Sequence, residues 1–359
     1  MNLDRRSFLA AAAALGVVPT RLLAAQGAVE GLVGQVGAVF DRRGLRSEGV
    51  AGVTRAGPGG RAIVAGDRWH LGSNSKAMTA ALYAVLVERG VFRWEATLPA
   101  LFPGLAVHPE WSAVTIEQVM GHVAGLDDRL MAGAWLMQRH LDRRPVAVQR
   151  AEFARELLAQ PPGPTRGRFA YCNAGFVLVG AAIERATGQS WEEVMTRRLF
   201  APLGMRRSGF GAPTGDSPWG HRGKVAVDPA GLADNPPVLG PAGRVHLSMS
   251  DYGRFLGLFL QPKSRLLRAD TIAHLLRPPV AGATYAGGWG LQRSAGGGRA
   301  LVHEGSNTMW HAITALYPDE GAGYCVVANE AGGAARTRLV SALDALRRGS
   351  ASPSRKVGG

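Results

Sequence analysis

Strand-like runs stand at both ends of this chain, and helical ones fill the space between them. Residues 32–41 and 47–54 are rich in Val and Gly and flank Arg42-Arg43-Gly44, which reads as a hairpin. Residues 73–205 carry helical signals instead. Within them 115–118 and 190–193 fit capping boxes, and 174–186 are apolar on a helical period that stops at Gly188. Residues 213–240 are irregular and rich in Pro and Gly. Helical patterns return at 250–260 and 269–276, three strand-like runs follow at 288–294, 311–317 and 323–329, and a last helix is expected over 334–346. Such an order points to an α/β (α+β) chain with one sheet drawn from both ends. The sheet lobe is expected at about 28–72 and 240–348, with an inserted helical lobe at about 73–239. The polar end, 349–359, reads as a disordered tail.

Composition narrows the class. At 359 residues the chain can bury a large core, and 46% hydrophobic with 19% charged residues is ordinary for a globular protein. The net charge of +14 could serve an anionic partner. No basic run is interleaved with stacking aromatics, however, so no nucleic-acid partner is expected. Asp4-Arg5-Arg6-Ser7-Phe8-Leu9-Ala10 precedes an apolar run of about 11 residues, too short to span a bilayer and suited to a signal peptide. It is similar to a twin-arginine export signal, although Asp4 and Ala10 depart from the usual ends. Residues 1–27 are therefore expected to be removed on export, leaving a periplasmic or secreted protein with no stable membrane anchor. The nine histidines include no H-x-H and no H-E-x-x-H, so neither a metal nor another cofactor is expected. Nothing in their spacing brings the two cysteines, Cys172 and Cys325, together, and free thiols are expected.

Of the 41 basic residues only four are lysines, and one of them stands in Ser73-Asn74-Ser75-Lys76. Arginine stays protonated in proteins, whereas a buried lysine can lose and regain a proton. Residues 77–90 read as a mostly buried helix ended by glycine, which puts Ser73 at a helix N-terminus. There free N–H groups and the positive dipole end favour a developing oxyanion. Lys76, three residues on, shares its face. By chance a Ser-x-x-Lys would arise ~0.2 times in such a chain, so the motif needs partners.

Two candidates follow. Tyr171-Cys172-Asn173 precedes an apolar helix. Between Lys76 and a second cation, His303, the Tyr171 phenolate would be stabilised and could take a proton from Ser73. Asn173 could hold Lys76 or a substrate carbonyl. Taken alone, Tyr171 reads as a core tyrosine and Asn173 as a helix N-cap. His303-Glu304-Gly305-Ser306 opens a strand-like stretch. His303 could point into a cleft on an edge strand, Gly305 would let a substrate backbone approach, and the Ser306 N–H could join that of Ser73 as an oxyanion donor. Alone, it reads as a surface His-Glu pair.

Together, Ser-x-x-Lys, Tyr-x-Asn and His-x-Gly in this order resemble the serine β-lactamase and penicillin-binding-protein family, especially its class C, D,D-peptidase and esterase branch. Trp69-His70-Leu71-Gly72-Ser73, the run from Thr115 to Leu126, Pro202-Leu203-Gly204-Met205 and Gly240-Pro241-Ala242-Gly243 are similar to family landmarks. The resemblance covers about 32–346. It implies a β-lactamase/transpeptidase-like fold: an antiparallel sheet flanked by helices, with an inserted all-helical lobe. It also implies a serine hydrolase for a small-molecule or peptide substrate, acylated on Ser73. Lys76 and Tyr171 would share proton transfer, and Asn173, His303, Gly305 and Ser306 would bind substrate. Two departures bear on that substrate. His303 stands where class C β-lactamases have lysine, and Glu304 replaces a hydroxyl residue that helps bind the β-lactam carboxylate. Strand alternation from His303 would turn Glu304 away from the cleft. An esterase or D-amino-acid peptidase is expected first and a class C-like β-lactamase or penicillin-binding protein second. A non-catalytic binder of cell-wall fragments comes third, because intact Ser73, Lys76 and Tyr171 argue against it.

Overall fold

The computed structural model describes residues 31–351 apart from 262, 263 and 265. The expected export signal, 1–27, lies outside the described residues, as does the end of the tail, 352–359.

Strands β1 (Gly34–Asp41) and β2 (Gly44–Gly52) form the expected hairpin, paired from Gly34 with Gly52 to Asp41 with Gly44. β1 is buried on both faces, which explains the continuous apolar stretch from Val36 to Phe40. A short strand, β3 (Arg68–His70), then leads through a 3-10 turn at Gly72–Asn74 into helix α1 (Ser75–Glu88). Residues 75–86 of α1 are all buried, so it is a central helix and not an amphipathic surface one.

Several helices build the inserted lobe, four of which position the site. α2 (Ile116–Met120) starts at the Thr115–Gln118 capping box, and α3 (Val146–Leu158) packs on α4 (Ala174–Thr187). α4 stops at Gly188, whose φ of 66° belongs to the left-handed region that glycine enters freely. α5 (Trp191–Met195) starts at the Ser190–Glu193 capping box. Besides helices and irregular stretches, the inserted segment carries three short strands: β4 (Ser208–Phe210) and the small hairpin of β5 (His221–Arg222) with β6 (Val225–Ala226). β7 (Val245–Ser248) pairs antiparallel with both β3 and β4 in a three-stranded sheet.

The chain returns to the main sheet after α6 (Met249–Leu260) and α7 (Ala269–Leu275). It adds β8 (Tyr285–Ala286), β9 (Trp289–Arg293), β10 (Arg299–Ser306), β11 (His311–Tyr317) and β12 (Ala322–Ala328). The seven strands lie in the order β2-β1-β12-β11-β10-β9-β8, every pair antiparallel, so β1 from the start of the chain pairs with β12 from its end. Alternation sorts the side chains between two layers. Val39, Ile313, Tyr324 and Val326 pack under the last helix, α8 (Gly333–Ala351), while Phe40, Ala312, Leu316 and Val327 face the helical lobe.

Two sequence expectations change here. α8 continues past Leu346 and Gly349 to Ala351, because Leu339, Leu343 and Leu346 keep a helical stripe against the sheet. His303–Ser306 closes a strand instead of opening one. β10 begins at Arg299, but its first half pairs with β9 and so looks no different in sequence from the rest of the sheet.

Candidate active site

Pairing of β10 with β9 ends at Val302, while pairing with β11 continues to Ser306. His303–Ser306 is therefore a local edge, and the nucleophile turn sits against it. A methyl group on Gly305 would meet Leu71 O at 2.2 Å and Ser73 N at 2.6 Å; one on Gly72 would meet Ser306 N at 2.5 Å. Backbone atoms fill these gaps and cannot give way, so glycine is required at 305 by close approach and at 72 by both close approach and its φ of 52°. The amides of Ser73 and Ser306 thus stand side by side, as a two-donor oxyanion site needs.

Lys76 is fully buried in the first turn of α1. Its Nζ lies 3.1 Å from Ser73 Oγ, 2.8 Å from Asn173 Oδ1 and 2.7 Å from the Ala242 carbonyl. Burial pulls its pKa down to about 7, against a smaller upward pull from Asp128 and Cys172. A neutral amine beside a serine hydroxyl can accept its proton. Asn173 is spent on holding Lys76: its Nδ2 donates to Asp128 Oδ2 at 3.0 Å. Asn173 caps no helix with its side chain; Asp128 does so instead, accepting from the Asn173 and Ala174 amides at 2.8 and 2.9 Å. The geometry thus picks the lysine contact from the two expected for Asn173 and leaves its side chain little capacity for substrate.

Tyr171 keeps an exposed flank in the cleft, 39% of its surface, and Lys76 Nζ sits 4.8 Å from its ring centroid. Burial raises its pKa above the ordinary phenol value, and a hydrogen bond with Ser73 opposes that rise only in part. The expected phenolate between two cations is not what the site builds. His303, the second cation in that scheme, is buried, and burial with Lys76 nearby lowers its pKa to about 3. It is a neutral ring whose Nε2 pairs with the Tyr285 hydroxyl at 2.8 Å. Lys76 is therefore the group here able to accept a proton, and Tyr171 a protonated phenol able to relay or donate one.

Glu304 points to the other face of the sheet, as alternation requires. Its partner across β11 is Ile313, on the α8 side, and its Oε1 accepts from His311 Nε2 and Arg336 Nε, both at 2.7 Å. Its carboxylate faces away from the cleft, and its upward pull on the His303 pKa is smaller than the downward pull of burial and Lys76. Both cysteines are buried and unpaired. Burial pushes the Cys172 thiol up to about 12, which makes it inert beside the site.

Three residues of the site went unassigned in the sequence reading. Asp128 follows the Gly125-Leu126 turn in an acidic pair, which by itself does not point to its distant partner Asn173. Tyr285 stands just ahead of the strand-like run 288–294, and nothing local marks it. His122 lies in the turn already likened to a family landmark, where its φ of 58° is unusual for a residue with a side chain. Its Nδ1 accepts from the Cys172 amide at 3.3 Å, and its ring lies 4.6 Å from Tyr171 and 4.7 Å from Tyr285. With Phe169, these rings wall one side of the cleft.

A serine at a helix start, its buried lysine and paired backbone amides form an arrangement able to support acyl transfer. The chain belongs to the Beta-lactamase family, whose model matches residues 20–347. Over 260 residues it is 30% identical to penicillin-binding protein 4 of Amycolatopsis lactamdurans, a match covering 67% of this chain and 65% of that one. Over 155 residues it is 32% identical to esterase EstB of Burkholderia gladioli, covering 40% and 38% of the two chains. The chain thus spans less than two thirds of the length of these relatives. A D-stereospecific amidohydrolase from Streptomyces sp. has the same fold, with a TM-score of 0.67 at 22% identity over 90% of this chain and 96% of that one.

Proposed function

We propose that this protein is an exported hydrolase that cleaves an ester or amide through an acyl-enzyme on Ser73, with esterase or D-amino-acid peptidase activity. Lys76 takes the Ser73 proton as Oγ attacks the substrate carbonyl. The Ser73 and Ser306 amides receive the oxyanion, and Tyr171 passes the proton to the leaving group. Water then repeats the sequence on the ester, with Lys76 again accepting the proton.

One observation carries the choice of substrate: where class C β-lactamases have a lysine, this site has His303, whose buried ring is engaged at Nε2 by the Tyr285 hydroxyl at 2.8 Å. With Glu304 turned to the far face, a β-lactam carboxylate would find neither cation nor hydroxyl at these two positions. The exposed rings of Phe169 and Tyr171, backed by the buried His122 and Tyr285, suit an uncharged apolar group. The likeness to penicillin-binding protein 4 supports a second reading, acylation by β-lactams without fast release.

Turnover of a short-chain nitrophenyl ester, a D-alanine amide, a D-alanyl-D-alanine peptide and a chromogenic cephalosporin, each beside Ser73→Ala, tests both readings. Ester or D-amide hydrolysis that exceeds cephalosporin turnover and disappears in Ser73→Ala is expected. Cephalosporin as the best substrate would overturn the first reading. Export is supported by Arg5-Arg6 and the apolar run behind them. Retention of an Arg5→Lys/Arg6→Lys double variant in the cytoplasm is its test. Nucleic acid has no place in this scheme, and salt-sensitive retention on DNA would contradict that.

A further inference from the structure

We propose that His70 and Asp234 are a positioning pair that sets the nucleophile turn, an inference resting on Ser73 as nucleophile. His70 ends β3, is wholly buried and stacks on Trp310 with ring centroids 5.4 Å apart. Its Nδ1 accepts the Gly72 amide at 3.1 Å, and its Nε2 lies 3.1 Å from Asp234 Oδ2. An N–H can bond only to a ring nitrogen with a free lone pair. The ring proton is therefore on Nε2, donated to Asp234, and the carboxylate fixes the tautomer that Gly72 needs.

Asp234 does more than orient one ring. Its Oδ2 also accepts from Arg244 Nε at 3.0 Å, and its Oδ1 from Asn307 Nδ2 at 2.8 Å. Each of these contacts abuts a reacting group in the chain. Gly72 precedes Ser73, Asn307 follows Ser306, and Arg244 lies two residues beyond Ala242, whose carbonyl holds Lys76. One buried carboxylate from the irregular 213–240 segment thus gathers the backbone beside the nucleophile, beside the second oxyanion amide and beside the base. Burial alone would push its pKa up, but His70, Arg244 and Asn307 hold it well below the usual carboxylate range, so it stays ionised. Gly72 lies so close to Ser306 N that a shift of its amide alters the spacing of the two oxyanion donors directly. Errors of that kind act on the transition state more than on substrate binding.

The test compares His70→Phe, His70→Gln and Asp234→Asn with the wild type, following acylation by a nitrophenyl ester in single-turnover experiments alongside thermal unfolding. Phenylalanine keeps the stack on Trp310 but accepts no hydrogen bond. Glutamine can accept from Gly72 and donate to Asp234. We expect His70→Phe to slow acylation by about 10²–10³-fold with KM changed less than about threefold, and His70→Gln to recover at least about tenfold of that loss. Asp234→Asn can donate to Nε2 and so turn the ring proton towards Gly72; it should also slow acylation at unchanged KM, and it carries the test if His70→Phe does not fold. Folded His70→Phe or Asp234→Asn acylating at the wild-type rate would overturn the pair, as would a glutamine variant no faster than phenylalanine at equal stability. A wild type that forms no acyl-enzyme on Ser73 would instead refute the reading on which the pair rests.

Discussion

Lys76 carries the proton balance of the site, and its environment states the pH at which that balance shifts. With a pKa lowered to about 7 it is an ammonium below that pH and a free amine above it. The acylation rate should therefore rise with pH, with a midpoint near 7, and Lys76→Arg should lose about 10²–10⁴-fold because arginine keeps its proton. A flat profile from pH 5 to 9 would remove Lys76 as base. Gly305 makes a steric prediction at the same scale. Gly305→Ala puts a methyl group 2.6 Å from Ser73 N, so it should cost about two to three orders of magnitude in rate while the chain stays folded. Near wild-type turnover would show that the two amides need not stand so close. Ser73 and Lys76 could be read from sequence because one helical turn sets their distance. Asp128, Tyr285 and the His70–Asp234 contact could not, since their partners come from distant segments and no local spacing marks them. The charge of His303 was misread for a related reason: a ring's protonation depends on burial, which the motif does not carry.

Among the elements, those with local rules matched the sequence well. The β1–β2 hairpin, both capping boxes and the α4 stop at Gly188 each depend on residues within a few positions of one another. β3, β4 and β7 escaped notice because each is short and is held by pairing with distant segments. The helical lobe is pinned by a buried ion cluster equally hard to foresee. Arg150 of α3 binds Glu184 of α4 and, at 2.6 Å, Glu192 of α5, and it donates to the Pro237 and Val238 carbonyls at 2.8 and 3.0 Å. Removing one member of such a cluster leaves uncompensated charge, so Arg150→Met should lower the unfolding free energy by about 3–5 kcal/mol in denaturant titration. An unchanged midpoint would make the cluster energetically idle. On the sheet's other face, Glu304 ties β10 to Arg336 of α8. Glu304→Gln should cost about 1–3 kcal/mol of stability but leave KM for ester substrates as it was. A changed preference between neutral and carboxylate-bearing substrates would contradict its placement.

At the scale of the whole molecule, the fold brings chain ends and catalytic parts to one seam. β1 pairs with β12, and α8 covers the sheet's outer layer. β10 presents its free edge to the turn that starts α1, where the sheet lobe meets the helical lobe. This architecture was legible from strands at both ends around helices. The placing of residues 213–240 was not, because a Pro/Gly-rich segment has no periodicity to reveal its contacts. Here it delivers Asp234 beneath the nucleophile turn and, through β5, the His221 ring to Asn329 O at 2.8 Å. All these parts converge on one claim, that Ser73 is acylated. Mixing the protein with excess nitrophenyl ester and reading nitrophenol release together with intact mass tests it most directly. One equivalent of early nitrophenol, a mass gain of one acyl group on the peptide bearing Ser73, and neither signal in Ser73→Ala is the predicted result. Ester turnover undiminished in Ser73→Ala, or an acyl group found on another residue, would contradict it.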